Sequence, residues 1–220
     1  MASLGEIIQL KIRLLGISPM IWRRILVLSS TTLHELHGIL QVVMGWDGIH
    51  LFQFDIRAVD YGSWELHMAR PDNSLCDFGF RRYDRFFYIY DMGSYWRHEV
   101  RVESLLDTDP KKFYPICTGG TGACPPEDCG GASGFLVRRD EANGYDAWRD
   151  LDLLSGFAKD LLDCRDTERS LSDLDLEELQ FAVDRVNGRE PFTSWRFSRK
   201  QLNAYFREGR HRELMHQQLI

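Results

Sequence analysis

The side chains with most chemistry to offer lie between Asp91 and Cys129. Cys117, Cys124 and Cys129 are spaced C-x6-C-x4-C, with His98 upstream. Three thiolates and an imidazole are a ligand set for tetrahedral zinc, although the short C-x2-C knuckle usual in such sites is absent. Pro125-Pro126 stiffens the backbone ahead of Glu127 and Asp128, and Gly130-Gly131 follows with wide conformational freedom. Two carboxylates held in this way could bind a divalent cation, serve as acid and base, receive an arginine, or anchor loop amides. Asp91 stands at the turn before His98. The catalytic candidates are therefore Asp91, His98, Glu127 and Asp128, and the metal candidates are Cys117, Cys124, Cys129 and His98.

Each candidate has a structural alternative. The cysteines could pack a loop as small apolar residues. His98 shares a strand face with Val100 and Val102, so a buried histidine bonded to a carboxylate such as Asp91 would also account for it. His37 lies near the apolar face of a helix and is expected in the core rather than as a ligand. No phosphate-binding loop, nucleophile elbow or H-E-x-x-H motif is found. No cofactor is assured; zinc or another divalent metal is the one class the residues suggest.

The elements that must position these residues are read from periodicity. Ile8, Leu10, Ile12 and Leu14 alternate with polar residues and predict a strand, with Ile21 to Leu28 as its partner. Thr32-Leu33-His34-Glu35 is a capping box, and Leu36, Ile39, Leu40, Val43 and Met44 continue a helix that Gly45 ends. His50–Ile56 and Trp64–His67 read as short strands joined by a turn at Asp60–Ser63, and Arg70–Arg82 as a loop. A hairpin pairs the apolar Phe86–Tyr90 with Trp96–Glu103, whose charged residues alternate with Trp96, His98, Val100 and Val102. Helices are expected over Tyr145–Leu162, after a cap at Ser172, and after a capping box at Ser198–Gln201. Strands followed by helices give an α+β fold: a mostly antiparallel sheet, one early helix packed on it and a helical C-terminal portion.

Composition narrows the classes. The net charge of −6 disfavours a generally basic nucleic-acid or membrane-surface binder. Five cysteines and no visible signal peptide point to reduced thiols. No apolar run approaches the roughly 20 residues of a membrane span. A soluble, cytoplasmic protein without membrane contact is expected. The last helix gathers Arg207, Arg210 and Arg212, which either pair with the acidic helices before them or contact a protein or nucleic acid.

Ile21-Trp22-Arg23-Arg24, Leu36-His37 through Gly45-Trp46 to His50–Phe54, Tyr90–His98 and Ala123–Gly131 together resemble the Ri-plasmid ORF-3-like family, some of whose members are labelled transposon passenger or TnpR-like proteins. The resemblance runs through about the first 135 residues and implies a compact α+β domain often encoded near mobile elements. It implies no established activity. Met92 and Ser94 depart from the family's Tyr-Asp-Phe-Gly-Asp turn, and the family tolerates an apolar residue at Cys129. The expectation is one ORF-3-like domain over 1–220, sheet-rich over 1–135 and helical over 140–220. The expected function is a non-catalytic binding or accessory module associated with mobile elements. The alternative is a metal-dependent, hydrolytic enzyme built on the hairpin and the Pro-Pro-Glu-Asp loop.

Overall fold

A computed structural model describes residues 6–143, 145–163, 176–188 and 197–216. Seven strands form one antiparallel sheet: β1 Glu6–Leu14, β2 Trp22–Leu28, β3 Phe52–Ile56, β4 Val59–Gly62, β5 Arg85–Tyr90, β6 Trp96–Asp107 and β7 Ile116–Thr121, in the order β4-β3-β5-β6-β1-β2-β7. The helices among the described residues are α1 Leu33–Met44, α2 Gly131–Asn143, α3 Tyr145–Asp163, α4 Leu176–Gly188, α5 Arg199–Glu208 and α6 Arg210–Leu214. The fold is α+β. No helix among the described residues is long and apolar enough to cross a membrane.

The chain divides into two compact units, Met1–Gly134 with Ser194–Ile220, and Phe135–Thr193. The stretch expected as one helical portion is thus shared between them, since α5 and α6 pack with α1 in the first unit.

Alternation builds the sheet as expected. Along β6, Trp96, His98, Val100 and Val102 are buried, whereas Arg97 and Arg101 are exposed. Both bonds of the capping box form: Thr32 Oγ1 accepts from the Glu35 amide, and Glu35 accepts from the Thr32 amide. Gly45 ends α1 at φ 77°, as a left-handed C-terminal cap requires. Midway along α1, Gly38 lets α6 approach; a Cβ there would lie 2.0 Å from the His211 carbonyl oxygen.

Arg23 locks this arrangement. It is 2% exposed. Its Nε donates to the Val43 carbonyl, Nη1 to those of Trp22 and Thr121, and Nη2 to Gly122 O and Cys124 Sγ. One buried cation thereby ties the C-terminal turn of α1 to β2 and β7, with its donors satisfied without a carboxylate.

Several elements differ from the sequence reading. Asp60–Ser63 is mostly strand: β4 occupies Val59–Gly62, and the turn sits one step earlier at Arg57-Ala58, with φ of 54° and 61°. Trp64–Leu66 is a 3-10 turn rather than a strand, and Leu75–Phe78 forms another inside the expected loop. The cysteine loop begins as edge strand β7 and ends in α2. Ser172 lies outside the described residues. In α3, Trp148 and Leu151 of the expected apolar stripe are 68% and 50% exposed. Among the described residues this helix packs on α4, which buries only one side, and Asp150 there holds Arg185 in a bidentate pair.

Candidate cation site

The site is built outward from two buried tryptophans. Trp46 follows the end of α1 and Trp96 opens β6; both are at most 2% exposed and their rings lie 5.4 Å apart. Trp46 Nε1 donates to the Pro125 carbonyl and Trp96 Nε1 to the Glu127 carbonyl, at 2.9 and 3.0 Å. The two indoles therefore grip the Pro-Pro-Glu-Asp step on either side of Pro126. Buried indole N–H groups need such acceptors, and a proline-rich loop has carbonyls to spare because its prolines donate none.

Glu127 points inward. The Tyr90 hydroxyl donates to its Oε1, and the Asp47 amide donates to Oε2 at 2.8 Å. Burial first, then the bond to Glu127, holds the Tyr90 phenol well above its ordinary range, so it stays a donor. Glu127 is thus the anchor of the loop. Gly131 completes the loop's seat at φ 72°, where a Cβ would lie 2.1 Å from the Ser94 carbonyl oxygen.

Asp128 faces the other way, with a side chain 70% exposed. Its Oδ1 is 2.9 Å from His50 Nε2, and Asp91 Oδ2 is 4.0 Å from that same nitrogen. His50, Asp91 and Asp128 each offer one ligand atom within 4.8 Å of the others. His50 is carried by the connection into β3, and its amide donates to Tyr90 Oη at 3.2 Å. Asp91 directly follows β5; its amide donates to the Leu51 carbonyl, so the β3–β5 register sets the two side by side.

Asp91 adopts φ 57°, a left-handed conformation that aspartate tolerates better than most residues. Its Oδ1 accepts from the Gly93 amide at 2.9 Å. Burial alone would push its carboxyl up. Hydrogen bonds from Ser94 and Gly93, together with His50, outweigh that and hold it below the usual carboxylate range. Ser94 therefore supports Asp91 as a donor where the family turn carries a carboxylate.

Of the four catalytic candidates, Asp91 and Asp128 come together, Glu127 backs them as an anchor, and His98 lies elsewhere. His98 is fully buried, edge-on to Trp46, with Nδ1 3.3 Å from the Tyr88 carbonyl oxygen rather than on a carboxylate. Burial lowers its pKa to about 4. The cysteines and His98 form no group of three close ligand atoms among the described residues. Cys117 Sγ reaches the Gly119 carbonyl at 3.6 Å, Cys124 Sγ lies between Arg23 and Met44 Sδ, and Cys129 is buried. Burial pushes the thiols of Cys117 and Cys124 up. His37, expected in the core, is fully buried and bonded through Nδ1 to the Tyr88 hydroxyl at 2.7 Å.

The three basic candidates are dispersed. Arg210 lies 3.7 Å from Asp47 and over the Tyr205 ring, beside a cavity of about 190 Å³ that Glu127 and Trp46 also line. Arg207 lines a separate groove of about 270 Å³ with Lys111, Lys112 and Phe113. Arg212 lies on α6. His50 is the residue that periodicity missed. Its signal was a lone polar aromatic between Gly48 and an apolar strand, inside a stretch that carries the family resemblance.

Two other proteins are similar to this chain. The uncharacterised protein y4hQ of Sinorhizobium fredii is 30% identical over 140 residues, covering 60% of this chain and 70% of that protein. The crystal structure of a protein of unknown function from Methanosarcina mazei Go1 superposes with a TM-score of 0.60 at 30% identity, covering 65% of this chain and 84% of that one. The family described as plasmid pRiA4b ORF-3-like protein matches residues 6–147, which include the whole sheet, both tryptophans and the His50–Asp91–Asp128 cluster, and the chain belongs to that family.

Proposed function

We propose that the chain binds one divalent cation through His50, Asp91 and Asp128 and uses it for metal-assisted hydrolysis. The observation carrying this reading is the convergence of one imidazole and two carboxylates, from positions far apart in sequence, within 4.8 Å, with Asp91 buried, His50 half-buried and Asp128 exposed. One nitrogen and two oxygen donors suit zinc, manganese or iron(II) better than calcium. Three protein ligands leave positions open for water and an anionic substrate group, the arrangement by which a cation lowers the pKa of a bound water. Glu127 and the two indoles fix the loop so that Asp128 is presented without rearrangement. An accessory role alongside mobile DNA draws on the plasmid origin in the family's description and not on this cluster.

The test is metal content after equilibrium dialysis of untagged protein against zinc or manganese, with a panel of chromogenic phosphate and carboxylate esters read in parallel. About one equivalent, lost in His50→Ala and Asp128→Asn, is expected. Binding that survives both substitutions, or a content below about a tenth of an equivalent, overturns the reading.

A further inference from the structure

The outer face of the sheet, opposite the core, carries a feature independent of the cation site. Strand register places Arg24 opposite Lys11, Lys11 opposite Arg101, and Arg101 opposite Arg85. Four cations therefore run in one straight row across β2, β1, β6 and β5, spanning about 14 Å at the ordinary strand spacing. The next row on the same face, two residues along each strand, reads Trp22, Arg13, Glu99 and Phe87. An aromatic ring thus stands at each end of this four-strand stretch, and beyond Phe87 the row continues to Asp55 on β3.

Like charges directly opposite one another on neighbouring strands are unfavourable. Carboxylates pair directly with the ends of the cation row: Glu103 bonds to Arg24 and also feels the Lys11 charge, and Glu99 lies 3.5 Å from Arg85. Among the described residues, Lys11 and Arg101 in the middle have no carboxylate at ion-pair distance. They rest instead on rings, Lys11 over Trp22 at 5.0 Å and Arg101 over Tyr83 at 5.0 Å. Arg85 and Arg101 are exposed, and Trp22 and Phe87 are half-buried, with Arg24 also over the Trp22 ring at 5.2 Å and Arg97 over the Phe87 ring at 4.0 Å. All this sits in a chain whose net charge is −6, so the positive row is a local concentration and not a reflection of composition.

We infer that this face binds single-stranded nucleic acid, with phosphates along the Arg24–Lys11–Arg101–Arg85 row and bases stacking on Trp22 and Phe87. A single row of cations one strand spacing apart follows one line of phosphates rather than the two backbones of a duplex. A line of cations whose middle two have, among the described residues, no carboxylate at ion-pair distance, beside two rings, matches a chain of phosphates beside a chain of flat bases. The cations now lying on the rings would exchange ring contact for phosphate on binding.

The experiment is fluorescence anisotropy of the full chain with a labelled oligothymidylate of about a dozen nucleotides, across salt from about 50 to 500 mM. Binding is expected at low salt. Lys11→Gln/Arg101→Gln should weaken it at least about tenfold and reduce the slope of log K against log salt by about 1.4, or 0.7 for each cation removed. Trp22→Ala should weaken binding about tenfold with the slope unchanged, and Trp22→Phe should restore most of the loss. Thermal melts of each variant separate lost binding from lost fold. The inference is overturned if the oligonucleotide does not bind at low salt, or if folded variants bind like the parent. Equal binding of a duplex, or competition by polyglutamate at equal charge, also overturns it, the latter in favour of an acidic protein partner.

Discussion

On β6, Trp96, His98 and Val100 are buried, while Arg97 and Arg101, each one position away from them, stand in solvent. The same strands thus carry two regions of opposite character. The inner face holds its polar groups in fixed bonds: Arg23 on four carbonyls and a thiol, His37 on Tyr88, the two indoles on the Pro-Pro-Glu-Asp loop. The outer face rests Lys11 and Arg101 on rings, with no carboxylate at ion-pair distance among the described residues. Burial makes an inner polar group costly to disturb, whereas an outer one can change partner cheaply. Stability should reside on one side and exchangeable binding on the other.

The largest break in that comparison comes from Trp96→Ala. It removes a fully buried indole and leaves the Glu127 carbonyl without its donor, and should cost about 3–5 kcal/mol in urea unfolding followed by far-UV circular dichroism. A loss under about 1 kcal/mol would mean that the inner face is not what holds the loop.

Acid should attack the same face next. His37 and His98 are buried neutral, with pKa values lowered by burial to about 3 and about 4. Both lie below the unfolded value of about 6.5, so the unfolded chain takes up protons that the folded chain refuses. Their contribution is complete above pH 6.5 and is lost as pH falls towards 4, at up to about 1.4 kcal/mol per pH unit for each histidine. The unfolding midpoint measured across this window should fall steeply, and His98→Gln should roughly halve the slope.

Glu127 and Asp128 sharpen the contrast within a single loop. Glu127→Gln sets an amide against two donors, Tyr90 Oη and the Asp47 N–H, and should cost about 1–2 kcal/mol. Asp128→Asn, at an exposed position, should change stability by less than about 0.5 kcal/mol while abolishing cation binding. Calorimetric melting beside metal analysis reads both.

How much of this could be read in the chain depended on whether the signal was local. Alternation in β1 and β6 and the Thr32–Glu35 box are local, and both formed as read. β7 was hidden because Thr118-Gly119-Gly120-Thr121 has the composition of a loop and becomes a strand only by pairing with β2. β4 was misplaced because its turn uses Arg57-Ala58, residues that do not advertise left-handed angles, while Asp60-Tyr61-Gly62 does look like a turn. Asp91 and Asp128 were chosen for their chemistry, but the sequence could not supply their third member. His50 meets Asp91 across the β3–β5 register and Asp128 through a loop held by two indoles, and neither relation leaves a spacing to read. The cysteine spacing misled for the converse reason, since thiols close along the chain pack differently: Cys117 reaches the Gly119 carbonyl, whereas Cys124 lies between Arg23 and Met44.

The smallest effect is also the most discriminating. Lys11→Gln/Arg101→Gln removes two like charges that face each other across β1 and β6. If the outer face serves binding rather than folding, relieved repulsion should return up to about 0.5 kcal/mol at low salt and keep the net change in stability within about 1 kcal/mol, because no buried group loses a partner. The gain should fade in 1 M salt, where the screening length falls to about 3 Å. Against it stands the loss of the Lys11–Trp22 and Arg101–Tyr83 contacts, each worth about 0.5–1 kcal/mol at an exposed site. A salt-independent loss of more than about 1 kcal/mol would show that the ring contacts win. The outer cations would then be part of the fold's own stabilisation, and the division of labour between the two faces would fail at the row on which it rests.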